Sequence, residues 1–298
     1  MTDFTHRPGP LTIPEDADTG TNMWLALRGG VRGIDKAFDA KAGPAKVASD
    51  FIQGMLFDAQ GNSGTCLTFF FSRLTKEIEK KCSDKAEISV QDLAECLKAA
   101  GADVNKAMED PKPGTMLSVM KESTGKLTGV TEKTTLEALF QDWLKHANVA
   151  LKRTTDELVV GGVAVLKDRN VVDSGAQGFV YFIEGVLEAT SGRLTYDNYN
   201  DPGSELSLAA EVDEGFSAKQ VDAIYGDEHS NIGKYNYCTE SVFLLKEGCT
   251  VEDVRKVLGK HGDSIAAVEA SRMVKVHVHA NAPEDVFASL EKYSQGAL

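Results

Sequence analysis

Apolar residues recur at helical spacing through the first two-thirds of the chain. Over 44–58, Val47, Phe51 and Met55 fall on one line with Ile52 and Leu56 beside it, so a helix there buries a single stripe. A second helix is expected from about Ser63 through Leu67, Phe70, Phe71 and Leu74, with Lys80 and Lys81 at its solvated end, where cations suit the dipole. Ser89 and Asp92 have the form of a capping box ahead of Leu93, Cys96, Leu97 and Ala100, and Gly101 reads as the stop. A short helix over 102–109 should end before Pro111 and Pro113, and Gly114 to Leu117 opens the next. Residues 131–151 form a long amphipathic segment through Leu136, Leu139, Phe140, Trp143, Leu144, Ala147 and Leu151, and 179–190 is again helical. Nothing here alternates with period two for long, so residues 1–192 read as an all-helical domain.

The pattern then changes. Residues 193–217 are acidic and polar, with Pro202, and read as a linker. Beyond them, 235–245 is strand-like, 251–262 helical, 264–268 and 273–279 strand-like, and 283–293 a helix opened by Pro283. That β-α-β-β-α order makes 218–298 a smaller α+β domain whose late strands form a hairpin, and the chain as a whole multidomain.

Composition narrows the function classes. The 298 residues are 42% apolar and 26% charged, enough for one large domain or two ordinary ones. A net charge of −13 argues against a nucleic-acid partner or an anionic membrane surface. The first residues lack the apolar core of a signal peptide and no run of 18 apolar residues occurs, so we expect a cytoplasmic protein with no integral membrane segment. Five cysteines without close pairing suit reduced thiols. His146 and His261 read as surface or capping residues on helices, and Trp24 and Trp143 as core.

The stretch richest in chemistry is Asp16-Ala-Asp18-Thr-Gly20-Thr21-Asn22-Met23. Two carboxylates one residue apart are hard ligands of the kind Mg²⁺ takes together with nucleotide phosphates. Gly20 lets the backbone approach, and the N–H groups of a following helix point at an anion. The same residues equally suit an N-cap and turn without a ligand. Further glycine-bearing turns precede helices at Gly61/Gly64, Gly114 and Gly175/Gly178. Gathered at one end of a bundle, such turns make a floor of N–H groups for a polyphosphate. None is a Walker A loop or a Rossmann fingerprint.

A second constellation lies in the last domain. Lys275, His277 and His279 share one strand face, the imidazoles roughly 7 Å apart at the backbone. Cys238 on another strand can supply a third ligand, leaving an open fourth position as in catalytic zinc sites, with Glu240 on the same face in support. The alternative is two exposed histidines beside a buried cysteine.

Taken in order, Asp16 to Met23, Gly61-Asn-Ser-Gly-Thr, Pro113-Gly-Thr-Met-Leu and Val172-Asp-Ser-Gly-Ala-Gln-Gly resemble the motifs of the nucleotide-binding L domain of dihydroxyacetone kinases. They are more similar still to the front of the fatty acid kinase A subunit, whose middle domain is matched by Tyr235-Asn-Tyr-Cys-Thr-Glu and Lys275-Val-His-Val-His-Ala-Asn. The resemblance implies an antiparallel helical barrel that binds Mg-ATP at one end. It makes Asp16 and Asp18 the catalytic, Mg²⁺-binding pair; Gly20, Thr21, Asn22, Asn62, Ser63, Gly64 and Thr65 the phosphate corner; Gly114, Thr115 and Met116 the nucleoside side; and Asp173 and Gly175 the closure. It implies Zn²⁺ at Cys238, His277 and His279. The implied reaction is phosphoryl transfer from ATP to a fatty acid held by a DegV-type carrier protein, and a homodimer is left open. Phosphoryl transfer needs positioning and charge neutralisation more than a protein nucleophile. This sequence departs from the family pattern at Glu15, Ala17 and Gln60, which stand where Pro, Gly and Arg are usual, and it ends at Leu298, ahead of the family's C-terminal domain. The altered corner keeps one rival in view, a nucleotide-binding regulatory protein without turnover; another is a small-ketone kinase subunit, against which the second domain argues.

Overall fold

The computed structural model describes residues 18–37, 39, 41–167, 170–194 and 235–296. Its first part is built from α1 (Thr19–Lys36), α2 (Pro44–Asp58), α3 (Gly61–Cys82), α4 (Val90–Asp103), α5 (Met116–Gly125), α6 (Leu136–Glu157) and α7 (Ser174–Thr190). Consecutive helices pack on one another and α7 also meets α1. Their shared core is aromatic. Trp143, Phe70 and Phe179 are fully buried with ring centroids 5.5 to 6.3 Å apart, and the Trp143 indole N–H donates to Ser123 Oγ at 3.0 Å. A buried indole needs such a partner.

Where the helices begin follows local capping. The Ser89 hydroxyl accepts the Asp92 N–H, and the Thr135 hydroxyl accepts the Ala138 N–H, so α6 starts after Thr135 rather than at 131 and runs on to Glu157. The short helix expected over 102–109 is a single 3₁₀ turn, Val104–Ala107. Ala102 and Asp103 belong to the end of α4, and the last two residues are drawn off into the sheet domain, where Met108 bridges Ala266 and the Glu109 N–H donates to Ile265 O. The first domain is also not purely helical. β1 (Val159–Val160) and β2 (Val163–Ala164) form a hairpin around Gly161 and Gly162, both at positive φ. Gly-Gly between valines is a hairpin signal, and it was hidden because each strand is only two residues long.

Four other expectations are corrected. Trp24 is 37% exposed beneath the Arg28 guanidinium rather than in the core, and Val47 stands exposed at the edge of its stripe. His261 lies beyond its helix, within 2.8 Å of Ser289 Oγ. Lys81 is not simply solvated, since it bonds Asp92 and Glu95.

The second part contains β3 (Tyr237–Leu244), α8 (Val251–Leu258), β4 (Gly262–Ala270), β5 (Met273–Ala280) and α9 (Pro283–Leu290), the β-α-β-β-α order read from the sequence. The sheet is antiparallel in the order β3-β5-β4. A turn at Ser271 and Arg272, both at positive φ, joins β4 to β5, as two-residue hairpins favour. Alternation along β5 gives each face a different neighbour. Val274, Val276 and Val278 meet Val254, Leu258, Val286 and Leu290 of α8 and α9, while Val268 and Ala270 of β4, with Met273, join the helical core. The Ser72 hydroxyl donates to Glu269 O at 2.6 Å across that contact. Of the linker, only residues 193 and 194 are described. No described helix is long and apolar enough to cross a membrane, and the described cysteines are free thiols.

The glycines opening α1 and α3 make different demands. A Cβ on Gly20 would meet nothing within 4 Å, whereas Gly61 sits at φ +60 and its Cβ would lie 2.6 Å from Asn22 Nδ2. Gly61→Ala should therefore cost at least about 1–2 kcal/mol of stability. Gly20→Ala should be neutral or stabilising by up to about 1 kcal/mol. Urea unfolding of both variants measures the contrast.

Candidate active site

Four helix starts, those of α1, α3, α5 and α7, supply residues to two adjoining cavities. Asp173 ties two of them together. Its Oδ2 accepts the N–H of Met116 at 3.0 Å and of Ala176 at 2.7 Å, and its own N–H donates to Thr154 Oγ1. One carboxylate thus caps both α5 and α7. Burial pushes its acidity weaker, more strongly than the two N–H bonds pull the other way. Burial, with Asp173 nearby, also pushes the Cys66 thiol up to about 12, so Cys66 is inert filler. At the start of α1, Asp18 Oδ2 accepts the Asn22 amide at 2.7 Å.

The first cavity, about 600 Å³, brings together Asn62, Ser63, Thr115, Met116, Asp173 and Gly175. Its far wall is Leu158, Val165 and Leu166, which flank the hairpin and which sequence reasoning missed. The second, about 620 Å³, shares Thr19, Asn62 and Ser63 with the first. Asp18 and Asn22 form one side of it, and Cys238, Glu240, Lys275, His277 and His279 of the sheet form the other. Asn62 Oδ1, at the junction of the cavities, and Thr65 Oγ1, one turn further into α3, are buried with no partner among the described residues. Asp16 falls outside the described residues. Gly20 and Thr21 are exposed on the first turn of α1. Gly64 and Thr65 are buried within α3, and Gly114 holds a positive-φ turn against Leu158. None of these five lines either cavity.

The sheet wall is a candidate metal centre. The donor atoms of Cys238, His277 and His279 lie within 4.8 Å of one another, in the register Cys238 opposite His279 and Glu240 opposite His277. Glu240 Oε1 meets His277 Nδ1 at 2.9 Å, which leaves Nε2, 3.9 Å from Cys238 Sγ, for an ion. A tetrahedral zinc would set thiolate and imidazole donors roughly 3.6 Å apart, so the set fits with small rotations. Glu240 also accepts the Lys275 ammonium at 2.8 Å and the backbone N–H of Gly61, from the other domain, at 2.7 Å. Burial alone would weaken its acidity, but the His277 hydrogen bond and the Lys275 charge prevail and hold it at about 2. A carboxylate behind a ligating imidazole fixes the ring's tautomer and orientation.

Comparison with known proteins agrees with this architecture. Residues 14–188 match the DAK2 domain, and residues 234–297 match the FakA-like middle domain, that of the fatty acid kinase A subunit and its relatives. Protein YloV of Bacillus subtilis is 30% identical over 284 residues, covering 94% of this chain and 48% of that protein. Uncharacterized proteins of Staphylococcus epidermidis and Staphylococcus aureus are also 30% identical, over 284 and 291 residues. The chain spans about half the length of these curated relatives. A helical domain of the dihydroxyacetone kinase type joined to a small antiparallel sheet domain is a kinase-family subunit in class. The chain belongs to the family of the fatty acid kinase A subunit.

Asp173 carries a pH signature. Because its acidity in the fold is weaker than in the unfolded chain, its stabilising, protonated form is complete below the unfolded value of about 3.9, and that stability is lost as pH rises through the folded value. Asp173→Asn keeps an oxygen for both N–H groups and should be at least as stable as the native chain near pH 7, with a flatter profile in acid. Asp173→Ala should lose about 1–3 kcal/mol. Thermal melts from pH 3 to 8 read both.

Proposed function

We propose that this chain carries the ATP- and metal-binding centre of a kinase subunit that phosphorylates a fatty acid on its carboxylate, yielding an acyl phosphate. The observation that carries the reading is the shared wall: Thr19, Asn62 and Ser63 belong to both cavities, so a nucleotide in the first directs its phosphates into the second. Asn62 and Ser63, in the first turn of α3, border that junction and take the phosphates there. Asp18, with Asp16, holds Mg²⁺, and the unsatisfied Asn62 Oδ1 beside it is the kind of acceptor that a hydrated hard cation uses. Thr115 and Met116 lie along the nucleoside, and Asp173 fixes the two helix ends that frame it. The ring of neighbouring helices from α1 to α7 is what supports the barrel reading.

Phe57 is the one large apolar side chain among the described residues lining the second cavity. An acyl tail has no apolar wall there, so only the carboxylate end enters and the tail stays with a fatty-acid-binding carrier of the DegV type. Cys238, His277 and His279 hold Zn²⁺, a Lewis acid for oxygen ligands when bound. Glu240 keeps His277 oriented. The absence of basic patches and of a long apolar run supports a cytoplasmic setting.

Isothermal titration of the chain with Mg-ATP should give saturable binding that is lost with EDTA and weakened at least tenfold in Asp18→Ala. No heat at millimolar nucleotide would overturn the kinase reading. Elemental analysis should find about one zinc per chain, absent from Cys238→Ser; a variant with undiminished zinc would sink the metal assignment.

A further inference from the structure

Lys275 is the side chain that neither the zinc set nor the phosphate corner absorbs. It sits in mid-strand on β5, the central strand, between Val242 and Val268 in register, and is only 3% exposed. Such a place favours an aliphatic residue, and an ammonium there is costly unless it serves a charge. Its Nζ has three N–H donors, and Glu240 Oε2 is the acceptor that the described residues offer. Pairing with Glu240 is a weak reason to keep it, because a buried ion pair is commonly matched or bettered by apolar residues of similar volume. Lys275 is also the one lysine or arginine among the described residues that line the second cavity, which Asp18 lines too.

We infer that Lys275 is a catalytic residue, its ammonium donating to the oxygens of the phosphoryl group as that group passes from nucleotide to acceptor. The inference rests on the kinase reading above and deepens it. In the step, an acceptor carboxylate oxygen forms a bond to the γ-phosphorus while the bond from that phosphorus to the bridging oxygen breaks, and ADP keeps the electron pair. No proton has to be removed from a carboxylate, so a general base is superfluous. What the step demands is a fixed cation, since an anion is attacking a polyanion. Asp18 and Glu240 add negative charge to the same walls. Lys275 keeps one N–H on Glu240 and turns the others to the transferring oxygens, held in place by that hydrogen bond.

The test uses this chain, Mg-ADP and aluminium fluoride, with acetate as a stand-in carboxylate. Fluoroaluminate mimics the phosphoryl group in flight, so it reads transition-state affinity apart from ground-state affinity. In the native chain it should tighten Mg-ADP binding at least tenfold. Lys275→Met should abolish that gain while the Mg-ADP dissociation constant stays within threefold and zinc content is unchanged. Lys275→Gln, which keeps a hydrogen bond to Glu240 and drops the charge, should behave alike and serves if the methionine variant unfolds. A variant that keeps the whole gain overturns the inference, as does one that loses Mg-ADP affinity in parallel, which marks a structural role. A native chain that binds Mg-ADP but gains nothing from aluminium fluoride also overturns it while sparing nucleotide binding. If the native chain binds no Mg-ADP, the kinase reading itself falls.

Discussion

The Glu240 carboxylate is the constraint on which the arrangement turns. It receives the Gly61 N–H at 2.7 Å, the Lys275 ammonium at 2.8 Å and His277 Nδ1 at 2.9 Å. The first of these belongs to the helical domain, 179 residues earlier in the chain, and the other two to the central strand of the sheet. A partly buried carboxylate is tolerated only when such donors surround it, and each donor is in turn fixed by the carboxylate. The same group therefore orients a candidate metal ligand, neutralises a buried lysine and sets the start of α3 against the sheet. The chemistry of one domain is registered on the backbone of the other through a single side chain.

Around that contact the helical domain works as a rigid mount. Phe179 meets Trp143 and Phe70 edge to face, and those two pack tilted against each other, which holds the helices, while Gly61 at positive φ lets the chain turn sharply into α3. The helix starts differ in what they do with their unpaired N–H groups. Those of α5 and α7 share Asp173, whereas the Gly61 N–H at the start of α3 goes to Glu240 and Asn62 and Ser63 border both cavities. Capping by Asp173 at one pair of helix ends and the open borders at Asn62 and Ser63 are how a bundle with no phosphate loop of the Walker type can still present a polar floor.

The sheet is built for two neighbours. Valines on one side of β5 seal against α8 and α9, and the opposite side carries Lys275, His277 and His279 towards the helices. Because successive residues alternate faces, a strict Lys-Val-His-Val-His run makes one strand serve both as core and as site wall.

Much of this was legible in local spacing. The 3.6-residue rhythm marked the long helices, Ser89 and Asp92 marked a true cap, and the alternation over 273–279 placed both histidines on one face. Shorter signals were swamped: the hairpin at 159–164 has strands too brief to show a period, and the backbone of Met108 and Glu109 was claimed by β4 rather than by a helix. Trp24 looked like core because hydrophobicity says nothing of which face of α1 is covered. The sequence by itself determined the types of the longer elements, the order of the two parts and the residues that could bear charge or metal, since these depend on neighbours within a turn or two. Only the tertiary structure decided that Gly61 would meet Glu240, that Lys275 would be buried beside a cavity and that Thr19, Asn62 and Ser63 would join two cavities into one path. Such meetings arise when separate apolar faces bury against each other, and no local spacing encodes which polar groups that burial carries together.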